Sequence, residues 1–209
     1  MKTHDVINPA IFYFGTPVAL LSTVDPDGRP NLAPMSSIYW LGRRAVIGMS
    51  ERSQTARNIR ATGECVINLP SADLVDAVDR LALTTGRELV SERKASVGYR
   101  FEPDKFGHAR LTPIPSDLVR PFRVAECPVN LETRLVVDHD QEADEEAVKP
   151  MELEIVRTHV HATIRSEAGT QRIDPDRWRP LIMSFQRLYG VGDELRPSRL
   201  ATITEEWYR

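Results

Sequence analysis

The turn Asp25-Pro26-Asp27-Gly28 is the feature that most constrains the fold of this chain. The residue types suit a tight turn: Asp accepts backbone N–H groups, Pro presets φ, and Gly accepts a positive φ. An apolar, β-branched run at residues 18–24 precedes the turn, and a second strand-like run at 29–40 follows it. The chain is therefore predicted to open with a β-hairpin.

Short apolar runs recur along the rest of the chain and predict strands at 45–49, 64–69, 129–137, 151–164 and 199–203. Ser53 as N-cap and Gly63 as C-terminal stop predict a helix between them. A second helix is predicted over 72–83 and a helical turn over 174–188. Residues 84–128 are irregular, and the acidic stretch 138–149 is predicted to be mobile. This pattern predicts a mainly β antiparallel barrel with helical additions, a single domain over 1–209 with its core at about 10–205.

Charge and composition exclude several classes of protein. The 27 basic and 30 acidic residues give a net charge of -3, without the basic stripe that nucleic-acid binding requires. No apolar run approaches the length of a membrane span. Cys65 and Cys127 show no metal-ligand spacing, and free thiols favour a reducing compartment. We expect a cytoplasmic protein that binds neither nucleic acid nor membrane.

The start of the helix after Ser53 is a candidate anion site. The first-turn N–H groups of a helix are unpaired, and the helix dipole favours negative charge there. Ser50, Ser53 and Thr55 add hydroxyl groups, and Arg52 adds a guanidinium that matches phosphate geometry. The alternative is a capped surface helix that binds nothing.

Pro34, within the strand-like run, marks a second candidate segment. A proline breaks the hydrogen-bond ladder, so Ala33-Pro34 must lie at a sheet edge or a bulge. The backbone groups released there can face a planar heterocycle. The alternative is a kinked strand without further function.

Taken together and in this order, the segments resemble the flavin reductase-like family of FMN-binding split barrels, of the flavoredoxin and flavin reductase type. Five pieces carry the resemblance: Val18-Ala19-Leu20-Leu21-Ser22-Thr23, Pro30-Asn31-Leu32-Ala33-Pro34-Met35-Ser36, Thr55-Ala56-Arg57-Asn58-Ile59, Gly63-Glu64-Cys65-Val66-Ile67-Asn68-Leu69 and Glu126-Cys127-Pro128-Val129. The resemblance implies a Greek-key split barrel, a homodimer and an FMN cofactor.

By this resemblance, the residues expected to line the flavin ring, largely through backbone N–H groups, are Asn31, Leu32, Ala33, Pro34, Met35 and Ser36. Those expected at the phosphate are Ser50, Arg52, Ser53, Gln54 and Thr55, and Asn58 is expected at the ribityl chain or ring edge. Phe185 and Tyr189 are placed near the flavin. The chain departs from many relatives at Ser53-Gln54-Thr55, where they carry Lys-Asp-Thr, and Arg57 is the candidate replacement for the missing cation.

The implied function is an NAD(P)H-dependent, flavin reductase-like oxidoreductase that passes electrons to a flavin, a monooxygenase partner or a small acceptor. Two alternatives stay open: an FMN-binding electron carrier or sensor without nicotinamide turnover, and a pyridoxamine-phosphate-oxidase-like enzyme. His108 is the candidate catalytic residue, at the nicotinamide phosphates or as a proton donor to reduced flavin, against a plain surface histidine. His159 and His161 alternate on a predicted strand, so both point to the same face. The sequence offers no clear third metal ligand, so no metal site is predicted and both histidines are interpreted as solvent-facing.

Overall fold

The computed structural model describes residues 3–139, 148–167 and 170–208. Its strands are β1 Phe14–Pro17, β2 Ala19–Val24, β3 Pro30–Met35, β4 Ile38–Leu41, β5 Arg44–Ser50, β6 Glu64–Leu69, β7 Thr84–Thr85, β8 Arg100–Phe101, β9 Pro113–Ile114, β10 Arg123–Val124, β11 Val129–Asp138, β12 Val148–Val160, β13 Leu181–Ser184 and β14 Arg187–Gly190. Its α-helices are α1 Gln54–Thr62, α2 Val75–Leu81, α3 Glu92–Ser96 and α4 Lys105–Ala109. Short 3-10 helices span Ala72–Leu74, Ala162–Ile164, Arg199–Thr202 and Glu205–Tyr208.

Seven antiparallel strands form the main sheet, in the order β3-β2-β6-β11-β12-β5-β4. Strands β3 and β4 therefore stand at opposite edges, yet only Ser36 and Ser37 separate them in the chain. A flat seven-stranded sheet would be about 29 Å wide, whereas this link spans at most about 11 Å. The sheet must curl until its edges approach each other, which confirms the predicted antiparallel barrel.

Apolar residues fill both faces of the curled sheet. Because side chains alternate along a strand, Ala19 and Leu21 of β2 point into the barrel core, while Val18 and Leu20 point to the outer face. Helix α1 contributes Ile59 to the barrel core. Helices α2 and α4 cover the outer face. Two cores thus hold the sheet from opposite sides.

The opening hairpin and the first helix form as predicted. The Gly28 N–H donates to the Asp25 carbonyl at 2.9 Å, with Gly28 at φ +87°, and β2 pairs with β3. Ser53 caps α1, and Gly63 ends it at φ +71°. Strand β6 also has its predicted bounds.

Four predictions of local structure are wrong or incomplete. Residues 29–40 form two strands, because the chain crosses the barrel seam between them. Residues 174–188 contain β13 and the start of β14 in place of a helical turn, and residues 199–203 are mostly 3-10 helix in place of a strand. The irregular region 84–128 includes the short helices α3 and α4.

The remaining predictions fit with shifted bounds. The predicted helix over 72–83 begins as a 3-10 turn and continues as α2. The predicted strand over 151–164 corresponds to β12, which ends at Val160 and is followed by the 3-10 helix Ala162–Ile164. Most of the acidic stretch 138–149, at 140–147, lies outside the described residues.

Ser53→Ala is expected to lower the free energy of unfolding by about 1 kcal/mol, because the Ser53 Oγ accepts the Ala56 N–H at 3.0 Å. Urea unfolding of the two proteins measures the difference. Ser96→Ala, at an exposed serine, is the control and should change stability by less than about 0.5 kcal/mol. Equal effects of the two substitutions would show that the cap does not stabilise the fold.

Candidate functional site

The N-terminus of α1 is the centre of the candidate site. The Ser53 hydroxyl caps the helix by accepting a first-turn N–H at 3.0 Å. Helix geometry leaves the N–H groups of Gln54 and Thr55 without an intrahelical acceptor, and the dipole favours negative charge at this end. Ser50 and exposed Arg52 lie in the turn that leads into the helix. This end of α1 has the chemistry to bind an anion.

A buried network of amide and hydroxyl groups fixes α1 against β2 and β3. Asn31 Nδ2 donates to Thr55 Oγ1, and Asn58 Nδ2 donates to Thr23 Oγ1, both at 3.0 Å. Gln54 Nε2 donates to Asn58 Oδ1 at 2.7 Å. Asn31, Thr55 and Asn58 are all buried, so these bonds form where water does not compete. The Thr55 and Asn58 side chains therefore orient the helix, and Asn58 also lines a cavity beside it.

A cavity of about 350 Å³ opens beside this network, and we call it the amide cavity after Asn31, Gln54 and Asn58 in its wall. Its charged lining is mixed, with both carboxylates and guanidinium groups. The other lining residues are Asp25, Arg29, Pro30, Arg57, Gly86, Arg87, Glu88, Leu89, Phe101, Glu102 and Pro103. Arg57, the candidate replacement for the missing lysine, lies here.

A second cavity, of about 420 Å³, lies on the Ser50 and Arg52 side of α1. We call it the cationic cavity, because its described lining holds four basic residues and no acidic one. The lining residues are Ser50, Arg52, Thr85, Arg87, Leu89, Val90, Ser91, Arg93, Lys94, Val97 and Tyr99. Partial burial lowers the pKa of Lys94, and the nearby Arg87 lowers it further. The cavity thus places four basic side chains next to the N-terminus of α1.

The segment 86–90 separates the two cavities, since Arg87 and Leu89 line both of them. A Cβ at Gly86 would overlap Asn31 Oδ1 and lie 3.2 Å from Gln54 Cβ, so the chain passes too close for a side chain. Arg87 Nη1 donates to the Arg52 carbonyl at 3.3 Å. The segment is therefore packed against both the network and the turn before α1.

The predicted ring-lining residues occupy the edge strand and the seam. Pro34 lies on β3 at the sheet edge, where its missing N–H breaks no ladder. The Leu32 side chain is fully buried against α2 and α4, which leaves only its backbone for a ligand. Ser36 is buried at the seam, and Ala33 and Met35 are half-buried. Of residues 31–36, Asn31 is the one that lines either of the two cavities.

His108 lies behind the amide cavity, on α4. Its Nε2 lies 2.9 Å from the Arg80 carbonyl oxygen, and its Nδ1 lies 3.5 Å from Glu102 Oε2. Glu102 lines the amide cavity, whereas His108 lines neither cavity. The structure therefore places His108 one residue away from the cavity surface.

Phe185 and Tyr189 stand apart from both cavities, on the β13–β14 hairpin. They are 45% and 50% exposed, and the Phe185 ring packs edge-on against Phe14 at a centroid distance of 4.8 Å. Phe185 and Gln186 both have positive φ, which closes the two-residue turn between the strands. Neither aromatic residue meets the other predicted site residues within this chain.

His159 is not solvent-facing as predicted. Its Nε2 lies 2.6 Å from Glu132 Oε1, and the Glu132 side chain is fully buried. Glu132 also accepts the N–H groups of Asp117 and Leu118, at 2.9 and 2.7 Å. Donor atoms of Asp117, Glu132 and His159 lie within 4.8 Å of one another, but these hydrogen bonds account for both Glu132 oxygens. His161, outside the strand, is exposed as predicted.

Sequence reasoning missed the far wall of the cationic cavity. Arg87, Arg93, Lys94 and Tyr99 come from the region interpreted only as irregular. Three basic residues within eight positions are a detectable signal there. Their nearness to Arg52 depends on tertiary structure and is not visible in the sequence.

Among the described residues, no helix is both long enough and apolar enough to span a membrane. Residues 11–192 match the model of the flavin reductase like domain. A Bacillus subtilis (strain 168) protein of unassigned function, YdfE, is 34% identical over 189 residues, which cover 90% of each chain.

Solved structures share the fold. Flavoredoxin of Desulfovibrio vulgaris (Miyazaki F) superposes with a TM-score of 0.76 at 22% identity, covering 96% of this chain and all of that one. Nitrilotriacetate monooxygenase component B from Bacillus cereus gives a TM-score of 0.74 at 21% identity, covering 94% of this chain and all of that one. A family match over most of the chain and a shared architecture agree with each other, and the chain belongs to the flavin reductase-like domain family.

Proposed function

We propose that this protein is an FMN-dependent oxidoreductase that takes electrons from NAD(P)H and passes them to a flavin, a monooxygenase partner or a small acceptor. The observation that carries the proposal is the position of the α1 N-terminus between a cation-lined cavity and the edge strand β3. A phosphate at one end and a planar ring along a strand edge are the two recognition needs of FMN. Family membership supports the same assignment.

The residues present fit this cofactor. Ser50, Arg52 and the first turn of α1, with Ser53, Gln54 and Thr55, would hold the phosphate. The buried, hydrogen-bonded Asn31 and Asn58 would contact the ribityl chain or ring edge, and the backbone of residues 32–36 would contact the ring. When bound, FMN supplies reversible two-electron chemistry, while the protein supplies orientation and electrostatics. Backbone N–H groups along β3 would stabilise added negative charge.

We also propose that the protein is a homodimer. Exposed aromatic residues gather around the small sheet β1-β13-β14, where the Phe14 ring packs against both Phe12 and Phe185. Large exposed apolar patches mark interaction surfaces. A second copy on this face would cover the exposed Phe185 and Tyr189. Sedimentation of the FMN-loaded protein tests the dimer.

The name of the Bacillus cereus neighbour supports a monooxygenase as the electron acceptor. We place the protein in the cytoplasm, since Cys65 and Cys127 are free, buried thiols. The deciding experiment is the absorption spectrum of the FMN-reconstituted protein before and after anaerobic addition of NADH or NADPH. Bleaching of the flavin band supports the oxidoreductase. A yellow protein that neither nicotinamide bleaches is an electron carrier, and a protein without affinity for FMN contradicts the whole proposal.

Arg52→Ala is expected to weaken FMN binding by about 1.5–3 kcal/mol, the range of a hydrogen bond to a charged group. Riboflavin, which has no phosphate, should bind almost equally to both proteins. Titration calorimetry with the two flavins measures the difference. If riboflavin loses as much affinity as FMN, Arg52 supports the local fold and does not contact the phosphate.

His108→Ala is expected to raise KM for the nicotinamide more than it lowers kcat. His108 reaches the amide cavity through Glu102, so it acts as a positioning residue. Lost positioning of this kind removes binding shared by the ground and transition states. Stopped-flow reduction of the flavin measures both constants. A loss of kcat by several orders of magnitude at constant KM would instead make His108 a proton donor.

A further inference from the structure

Tyr13 connects the seam between β3 and β4 with the small sheet β1-β13-β14. Its hydroxyl lies 2.8 Å from Ser37 Oγ, within hydrogen-bond distance, and either hydroxyl can donate. Its carbonyl accepts the Phe185 N–H at 3.0 Å. One residue of the N-terminal segment thus contacts both the seam and the turn between β13 and β14.

The two neighbours of Tyr13 belong to the exposed aromatic face of the small sheet. Phe12 and Phe14 are 67% and 69% exposed, and their ring centroids lie 6.4 Å apart. The Phe14 ring also packs edge-on against Phe185. Tyr13 itself is half-buried. Two aromatic rings of this segment are therefore exposed, while the tyrosine between them reaches the seam.

Ser37 is also held by strand β5. The Gly48 N–H donates to the Ser37 carbonyl at 2.8 Å, and a Cβ at Gly48 would lie 3.2 Å from Ser37 Cβ. Ser37 directly follows Ser36, the buried end of the segment proposed to contact the flavin ring. In the described sheet, β3 is an edge strand that pairs with β2, so its end depends in part on the link to β4. The position of Ser37 thus helps to set where the backbone of residues 33–36 lies.

We infer that Tyr13 positions the ring-binding segment 33–36 through Ser37, and that a second copy of the chain strengthens this positioning. The inference rests on the proposed function, because it concerns the FMN site and the homodimer proposed there. A second copy that covers Phe14 and Phe185 restricts the N-terminal segment, and the Tyr13 hydroxyl transmits that restriction to Ser37. Backbone that is already ordered costs less to fix when a ligand binds, so the dimer binds the flavin ring more tightly than a single chain does.

Flavin titration tests the positioning role. Tyr13→Phe removes only the hydroxyl and is expected to weaken FMN and riboflavin alike, by about three- to tenfold, the effect of one lost hydrogen bond. Arg52→Ala, in contrast, should weaken FMN only. Tyr39→Phe makes the same chemical change at an exposed tyrosine of β4 and is the matched control, with both affinities within about twofold of wild type. Loss of affinity for FMN alone in Tyr13→Phe would place its effect at the phosphate and overturn the inference.

A double-mutant cycle tests whether Tyr13 acts through Ser37. Ser37→Ala should weaken both flavins to a similar extent, and Tyr13→Phe/Ser37→Ala should bind them within about twofold of either single variant. Additive losses would overturn the route through Ser37. Thermal melts establish that each variant is folded. A variant that melts at a lower temperature but keeps wild-type flavin affinity would show that the hydrogen bond only stabilises the fold, and the inference would be wrong.

Sedimentation over a dilution series tests the contribution of the second copy. A ligand that binds the dimer better than the single chain shifts the equilibrium toward the dimer. FMN is therefore expected to tighten the wild-type dimer by at least about fivefold, and the Tyr13→Phe dimer by less than about twofold. Equal tightening of the two dimers would show that Tyr13 does not connect the aromatic face with the flavin site.

The wild-type protein separates this inference from the proposed function. If the wild type binds FMN as a dimer and Tyr13→Phe behaves identically in titration and sedimentation, the proposed function stands and the inference is wrong. If the wild type binds FMN as a monomer, the proposed homodimer and the inference are both wrong. If it binds neither flavin, the proposed function fails as a whole and the inference fails with it.

Discussion

Glu132→Ala is expected to lower the free energy of unfolding by about 3–5 kcal/mol, because it removes the buried acceptor of three hydrogen bonds. The Glu132 side chain is fully buried and lies 2.6 Å from His159 Nε2. It also accepts the N–H groups of Asp117 and Leu118. Alanine would leave the N–H groups of Asp117 and Leu118 and the half-buried His159 ring without their acceptor, and each lost hydrogen bond carries a cost.

Urea unfolding monitored by circular dichroism measures this effect. Glu154→Ala is the matched control, because Glu154 is an exposed carboxylate on the neighbouring strand β12. Its replacement should change stability by less than about 0.5 kcal/mol. A loss below about 1 kcal/mol for Glu132→Ala would show that water replaces the missing acceptor.

The same carboxylate gives the protein a defined acid sensitivity. Burial raises the pKa of Glu132, but hydrogen bonds from Asp117, His159 and Leu118 outweigh it and hold the pKa below its ordinary value. A depressed folded-state pKa adds stability above the unfolded-state pKa of about 4.3, and this stability is lost as the pH falls below it. The stability difference between wild type and Glu132→Gln should therefore shrink on acidification below about pH 4.3.

Gly86→Ala is expected to cost about 1–3 kcal/mol of stability and to abolish most FMN binding, through overpacking. The new Cβ would overlap Asn31 Oδ1 and press on Gln54 Cβ at 3.2 Å. Relief requires movement of segment 86–90, which separates the two cavities, or of Asn31, which belongs to the proposed cofactor site. Fluorescence titration with FMN and urea unfolding measure the two effects.

Gly192→Ala is the matched control for this substitution. Gly192 has no atom within 4 Å of an added Cβ and no positive φ, so alanine is accommodated freely there. We expect unchanged FMN affinity and a stability change below about 0.5 kcal/mol. FMN binding at full strength by Gly86→Ala would show that the network around Asn31 takes no part in the site.

Local chemistry explains which parts of the fold were predictable. Helix α1 ends where expected, because Ser53 and Gly63 satisfy the helix termini from within the segment itself. The division of residues 29–40 was not predictable, since it reflects closure of the sheet edges and no local turn signal. The turn at Phe185-Gln186 places two bulky residues at positive φ, where glycine or asparagine is the usual signal.

The candidate site likewise has one side that the sequence predicts and one side that it does not. Its near side follows one continuous segment from Ser50 to Asn58, in which a strand end, a cap and a helix stand in order. Its far side, with Arg87, Arg93 and Lys94, is brought in by a long connection whose path depends on packing against Asn31. The two sides lie 29 or more positions apart in the sequence, so it is the fold that brings them together.

Arg87 and Leu89 line both cavities, so ligands bound in the two cavities at the same time would affect each other's binding free energy. A ligand that draws the Arg87 guanidinium toward one cavity withdraws it from the other. By linkage, the factor by which the first ligand alters the affinity of the second equals the factor for the reverse order of binding. Arg87 would then be the residue through which a ligand in one cavity alters the affinity of the other cavity for its ligand.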